Sequence, residues 1–274
     1  MIEKKKKWTK KRIVRWAVFI LIIVLVYQPV YAELLKNAIR NNDVQMTKVI
    51  LSIPGNVDFR FSAPAIEVVS HTALEVACKD DNYEIMELLL EHGAKPSYEP
   101  GHAQPLSYIL QGNYIGLFDR TKLLIEYGAE INIGDGSGRQ PIESLFSRLD
   151  YLDELTLEDA NAEVFATMVY LAEQGVRFES NYPRITFHYL YNTVKNDNYK
   201  ATEYLVLEQG LDVNMVGTGD STLLIYVAKD GKLKAAELLL ELGIDKSTKD
   251  EEGKTAYDYA VENGHLKLAE LLKP

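Results

Sequence analysis

Apolar positions recur along this chain at the three- and four-residue spacing of an amphipathic helix, and they do so in blocks that repeat. In HTALEVACKDDNYEIMELLLEHGA, residues 71–94, Ala73, Val76 and Ala77 share one face, and Ile85, Leu88 and Leu89 share another. The block therefore predicts two helices joined by a polar turn. Its ending, LLLEHGA at 88–94, returns as LLIEYGA at 123–129, YLAEQGV at 170–176, LVLEQGL at 205–211 and LLLELGI at 238–244. The glycines at 93, 128, 175, 210 and 243 lie 35, 47, 35 and 33 residues apart. A weaker copy, VILSIPGNVD, places Gly55 38 residues before Gly93, and LAELLKP closes the chain. Glycine at this point suits a left-handed helix C-terminus. Neither helix of a block can bury its stripe alone, so neighbouring blocks must stack.

A second phrase precedes the ending. Thr72 and Thr222 each stand 21 residues before a block glycine, and TALEVACKDDN, TLLIYVAKDGK and TAYDYAVENGH align. Asn82-Tyr83, Asn113-Tyr114 and Asn198-Tyr199 mark where second helices are expected to begin, and IGDGSGRQP (133–141) and STKDEEGKT (247–255) read as connecting turns. This pattern resembles the ankyrin repeat, a unit of about 33 residues with a hairpin loop, two helices, a Thr-Pro-Leu-His opening and a Leu-Leu ending in Gly-Ala. The resemblance covers residues 33–274. It implies an all-α ankyrin-repeat solenoid of about six to seven helix pairs with β-turn hairpin loops, preceded by one hydrophobic N-terminal helix. Two departures stand out. Glu75, Ser107, Glu143, Ile225 and Asp258 stand near the motif's histidine, which puts the hydrogen bonds of that histidine in doubt. The fourth unit is lengthened by SRLDYLDELTLEDANAEV (147–164), expected as an insertion between its helices, and the third carries a smaller insertion around 112–118.

The N-terminus is of another kind. Residues 1–15 hold eight Lys/Arg and one acid, and Trp16 to Tyr27 is an unbroken apolar or aromatic run. Residues 1–12 are expected as a basic cytoplasmic tail and 13–32 as a transmembrane anchor, leaving 33–274 as the repeat domain outside the membrane, periplasmic or extracellular, in a bacterial envelope. The alternative is a signal segment cut after Ala32, since Val30 and Ala32 stand where a signal peptidase reads and Pro29 would end the helix.

Charge narrows the partners. The chain carries 30 basic and 40 acidic residues, net -10; without the +7 of residues 1–15 the remainder is -17, a poor surface for nucleic acid. A single cysteine, Cys78, excludes an intrachain disulfide and falls at a small-residue core position beside Ala77. His71, His92, His102, His188 and His265 are not spaced for a shared metal, and GDGSG (134–138) lacks the residues of a phosphate or calcium loop. No catalytic, metal or cofactor role is assigned. The carboxylates Glu75, Asp80, Asp81 and Glu84 read as a solvated rim.

What the resemblance implies is binding of a protein partner on a concave face of hairpin tips and first helices. Candidate contacts are Tyr108 and Gln111 on a first helix, Asp135, Ser137 and Arg139 at one hairpin, and Asp250 and Glu251 at another. Asp153, Glu154, Glu158 and Asp159 in the acidic insertion are candidates for holding a basic partner, because no base stands between Arg148 and Arg177. The reading is a non-catalytic scaffold or adaptor; its alternative is an inhibitor or immunity-type protein that covers the basic site of a toxin or enzyme.

Overall fold

Each repeated block folds as a pair of helices, and within each compact unit the pairs pack through equivalent helices. The structure, a computed structural model, describes residues 27–60, 71–135, 137–146, 154–178 and 183–274; at 154–157 and 183 it describes the backbone. The chain divides into two compact units, Met1–Pro96 and Ser97–Pro274. The first contains α1 (27–40), α2 (Val44–Leu51), α3 (Ala73–Lys79) and α4 (Tyr83–Glu91). The second contains α5 (Pro105–Gln111), α6 (Leu117–Glu126), α7 (Pro141–Phe146), α8 (Glu154–Glu173), α9 (Pro183–Lys195) and α10 (Tyr199–Glu203), which continues as a π turn over Tyr204–Glu208. It ends in α11 (Leu223–Asp230), α12 (Leu233–Glu241), α13 (Ala256–Glu262) and α14 (Leu266–Leu272). No strand forms among the described residues; an isolated antiparallel bridge joins Val216 and Thr222.

Within the second unit two layers are evident. First helices α5, α7, α9, α11 and α13 pack in succession, while second helices pack α6 on α8, α8 on α10 and α12 on α14. The block glycines hold this geometry. Gly93, Gly128, Gly175, Gly210 and Gly243 all have φ between 73° and 92°, where a side chain would be strained. Gly55 of the weak copy works differently: a Cβ there would lie 2.4 Å from the Tyr31 ring, so its smallness admits that ring. Before second helices α2, α4, α10, α12 and α14 the chain also turns through a left-handed residue, at Asn42, Asp81, Asp197, Gly231 and Gly264, and Gly116 does so before α6, all types that tolerate it.

Helix starts explain the missing histidine. The Glu75 carboxylate accepts from the Thr72 amide at 2.6 Å while Thr72 Oγ1 accepts from the Glu75 amide. Asp258 and Thr255 repeat this reciprocal box, and Glu143 accepts from the Gln140 amide at 3.0 Å. A carboxylate at this position thus satisfies helix N-terminal amides that would otherwise be orphaned. Glu75 is buried, at 2 % exposure, which corrects its placement on a solvated rim. Loops add lateral bonds between neighbouring blocks: Asp58 accepts from the Lys95 amide, Ser97 from the Glu130 amide and Asn214 from the Asp245 amide.

Three further expectations change. Asn82 and Asn198 cap α4 and α10 as the sequence predicts, but α6 begins only at Leu117, and Tyr114 is buried in the turn before it. The acidic insertion is not a loop throughout, because α8 starts at Glu154 and carries its second half. Glu163 in that half accepts from the Phe118 amide at 3.0 Å, bracing the start of α6.

The third correction concerns location. No helix among the described residues is long and apolar enough to cross a membrane, which overturns the expected single-pass topology. Most of the apolar run lies outside the described residues, but residues 27–32 belong to α1, where Pro29 and Val30 are exposed and Tyr31 and Ala32 face the core. Tyr31 and Ala32 are buried with Leu35, Ala38 and Ile39, and the Tyr27 hydroxyl donates to the Pro54 carbonyl. The helix continues from Pro29 through Ala32, so the expected cleavage position sits inside a packed helix rather than on an extended segment.

The carboxylates that build caps and turns give a pH dependence. Hydrogen bonds from the Thr255 amide and hydroxyl hold the Asp258 carboxyl below its ordinary value of 3.8. Because the folded pKa is depressed, the stabilisation is present above the unfolded value and is lost as pH falls through the folded one. Asp258→Asn is therefore expected to lower the melting temperature at neutral pH, with the gap to wild type closing in strong acid. A gap that stays constant with pH would contradict the assignment.

Candidate functional site

The outward face of α9 is set by helical spacing. Thr186, Phe187, Leu190, Thr193 and Val194 are buried, which leaves Arg184, His188, Tyr191 and Lys195 in one stripe at four-, three- and four-residue steps. Arg184 and His188 are exposed and Tyr191 and Lys195 half-buried. On α11 the same logic turns Tyr226 and Lys229 outward from Leu223, Leu224, Val227 and Ala228.

Stacking brings the two faces together. The Tyr191 and Tyr226 rings meet edge to face at 5.1 Å, Phe187 lies 6.2 Å from Tyr191 in a stacked arrangement and 5.9 Å from Tyr226. Cations sit over these rings. Lys195 Nζ is 5.9 Å from the Tyr191 centroid, and Lys229 Nζ is 5.8 Å from that of Tyr226 and 4.2 Å from that of Tyr259 on α13. Lys254 covers Tyr259 again at 5.2 Å. Such contacts hold the lysines on the face.

Two cavities open along this stripe. One of about 200 Å³ is lined by Arg184, Phe187, His188, Tyr191, Gly217, Thr218 and Tyr226. The other, about 360 Å³, is lined by Arg139, Glu143, Phe146, Ile185, His188, Tyr189, Tyr191 and Asn192. His188 and Tyr191 belong to both, so they form one groove across α7, α9 and α11. Gly217 is required there, because a Cβ would stand 2.6 Å from the Phe187 ring. Burial, with the Glu143 charge, pushes the Tyr189 hydroxyl well above its ordinary pKa, so it stays a neutral wall.

The residues singled out from the sequence are scattered by comparison. Arg139 reaches the groove. Asp135 builds its hairpin, accepting from the Ser137 and Arg139 amides, and lies 3.9 Å from the Arg139 guanidinium. Ser137 is exposed at that turn. Tyr108 is half-buried and Gln111 exposed on α5. Asp250 is taken up by structure: it is buried and accepts from the Tyr259 hydroxyl at 2.7 Å and from the Glu252 and Lys254 amides. Burial pushes the Asp250 carboxyl up, yet these bonds and the Lys229 charge outweigh it and hold it low. Glu251 is exposed, its amide donating to the Gly219 carbonyl. Glu158 and Asp159 are exposed on α8, Glu154 opens that helix, and Asp153 lies outside the described residues.

Sequence reasoning missed Arg184, His188, Tyr191, Tyr226 and Lys229. A signal was present: Tyr226 and Tyr259 each stand four residues after an aligned threonine, Thr222 and Thr255. Among the described residues no cluster of His, Cys, Asp and Glu is placed to hold a metal ion.

Helix pairs stacked in two layers within the second unit and closed by left-handed glycines define a helical-repeat fold. Residues 190–274 match the family model of ankyrin repeats in three copies and residues 70–97 that of the ankyrin repeat. Among curated proteins none matches the chain in sequence. Solved structures share the fold. The human ASB11 ankyrin repeat domain is 19 % identical with a TM-score of 0.64, over 88 % of this chain and 97 % of that one. The ankyrin repeat domain of Bcl-3, a member of the IkappaB protein family, is 17 % identical with a TM-score of 0.56, over 85 % and 97 %. A chain of the complex between the Bd0816 predatory endopeptidase of Bdellovibrio bacteriovorus and immunity protein Bd3460 is 18 % identical with a TM-score of 0.54, over 73 % and 95 %.

Proposed function

We propose that this protein is a non-catalytic protein-interaction module, a scaffold or adaptor, that receives its partner on the groove of α7, α9 and α11. Ankyrin repeats imply protein–protein interaction, and such domains are generally binding modules rather than enzymes. The observation that carries the reading is the aromatic stripe of Phe187, Tyr191 and Tyr226 with cations on its rings. Tyrosine and arginine in a partly desolvated groove are the residue types that dominate binding energy at interfaces. Tyr108, Gln111, Ser137, Arg139 and Glu251 would extend this contact along hairpins and first helices. The test is affinity capture of the native partner on the full chain. A Tyr191→Ser/Tyr226→Ser variant should lose that partner, whereas Glu237→Ala/Glu241→Ala on α12 should keep it. Equal retention by both would sink the reading.

A second reading, an inhibitor that covers a basic site, is favoured by the exposed acids Glu158 and Asp159 on α8 and by the likeness to a chain from an enzyme–immunity complex. Neutralising Glu154, Glu158 and Asp159 to Gln or Asn should leave the melting temperature nearly unchanged. If a basic partner docks there, its association should slow at low salt and depend less on salt. Unchanged association rates would remove these acids from the interface.

A further inference from the structure

We infer that the π turn following α10 is a device that corrects register: it takes up one surplus residue, Leu207, so that the buried residues on either side keep the places they have in the other blocks. The inference is independent of where a partner docks.

The other block endings share one closing geometry. The residue after the block glycine donates its amide to the carbonyl five positions back, Ala94 to Leu89, Ala129 to Leu124, Val176 to Leu171 and Ile244 to Leu239, at 2.9–3.0 Å. Each of these leucines is 0 % exposed, and each donor residue is buried. Between leucine and donor stand LEHG (90–93), IEYG (125–128), AEQG (172–175) and LELG (240–243). After α10 the Leu211 amide instead reaches six positions back, to the Leu205 carbonyl at 3.0 Å. Leu205 is again 0 % exposed and Leu211 is buried, but the residues between them are VLEQG (206–210), one more than elsewhere.

Counting back from the glycine would put Val206 in the buried leucine's place. Counting forward from the helix cap puts Leu205 there, seven residues after Asn198 as Leu89 is seven after Asn82, and Leu205 is the residue that is buried. The surplus residue therefore lies between Leu205 and Glu208. Val206 is half-buried, like Ile125, Ala172 and Leu240 at the corresponding position, whereas Leu207 is 66 % exposed.

In an uninterrupted α-helix one additional residue advances the chain by about 1.5 Å and turns it by about 100°. Gly210 and Leu211 would then be carried away from the cap and the core. The Gln209 amide instead donates to the Tyr204 carbonyl five positions back, at 3.1 Å, the wider turn of a π-helix. Gly210 still takes its left-handed conformation, at φ 73°, and Leu211 still closes the block. The consequence reaches the groove. Leu211 and Val213 are buried and lead into the hairpin that sets Gly217 against the Phe187 ring, so that hairpin starts from an unshifted position.

The experiment compares two single-residue deletions in the full chain. Removing Leu207 leaves Leu205 and Leu211 with the spacing of the other blocks, so the melting temperature should equal or exceed that of wild type, and the Leu211 amide should stay protected from hydrogen exchange. Removing Leu240 from α12, a block without a surplus residue, should lower the melting temperature by at least about 5 °C, because Ile244 then loses its place. Leu207→Ala keeps the backbone length and should leave the melting temperature within about 2 °C of wild type, as for a surface substitution. A protein without Leu207 that fails to fold, or that is destabilised as much as the one without Leu240, would overturn the inference. A comparable loss in Leu207→Ala would do so too, since Leu207 would then be a packed residue rather than a surplus one.

Discussion

Replacing Leu89 with alanine is expected to cost about 2–5 kcal/mol of folding free energy, the range for a leucine deleted from a closed core. Leu89 is 0 % exposed on α4, as are Ile85 and Met86 on the same helix and Ala73, Leu74 and Ala77 on α3. The α3–α4 pair therefore has little room to collapse around the cavity. Helix α2 also packs on α4, and a repeat draws part of its stability from the block it contacts. Urea denaturation of the full chain would read the change in midpoint at constant slope. Cys78→Ala at an equally buried site removes a single heavy atom and should cost much less. A Leu89→Ala protein within about 0.5 kcal/mol of wild type, the usual range for surface substitutions, would show that the helix pair is not packed as described.

Phe146→Ala should cost about 3–5 kcal/mol, and it should also impair binding. Phe146 is 1 % exposed, its ring lies 4.7 Å from that of Tyr189, and Phe178 meets Tyr189 edge to face at 6.5 Å. This aromatic cluster supports α9 from the α7 side. Phe146 also borders the larger cavity, so deleting the ring would let α9 settle and displace His188 and Tyr191 from their positions over the groove. Both effects are therefore expected in one variant: a lower denaturation midpoint, and weaker partner capture at temperatures where the protein is still folded. Loss of stability with full binding would mean that Phe146 does not position the groove.

Much of the fold was legible in the sequence because its cause is local. The recurrence of a glycine after an apolar stripe reflects a backbone requirement at each helix end, and all five block glycines have the left-handed φ that requirement implies. The alternation of buried and exposed positions in 71–94 likewise follows from helical spacing: Ala73, Ala77, Ile85 and Leu89 are buried as it demands, while Val76 and Leu88 of the same predicted faces are half-buried. Cys78 as a core residue followed from the same register. Errors came where a residue's role depends on a neighbour that spacing does not reveal. Glu75 looked like a surface charge because carboxylates usually are, yet its partner is the amide of Thr72. Tyr31 and Ala32 looked like the end of an apolar segment because they adjoin one, yet Gly55 receives the Tyr31 ring.

By itself, then, the sequence determined the repeating helix pair, where each pair ends, and the requirement that pairs stack, since those follow from periodicity and from the steric freedom of glycine. Only the tertiary structure decided which charges are surface and which are caps, and where a binding face lies. Arg184, His188, Tyr191 and Tyr226 come from two helices and are separated along the chain by up to 42 residues. Each taken alone is an ordinary outward-facing side chain. They become a groove because stacking sets α9 beside α11 and Gly217 lets the intervening turn close on Phe187, a juxtaposition that no local pattern encodes.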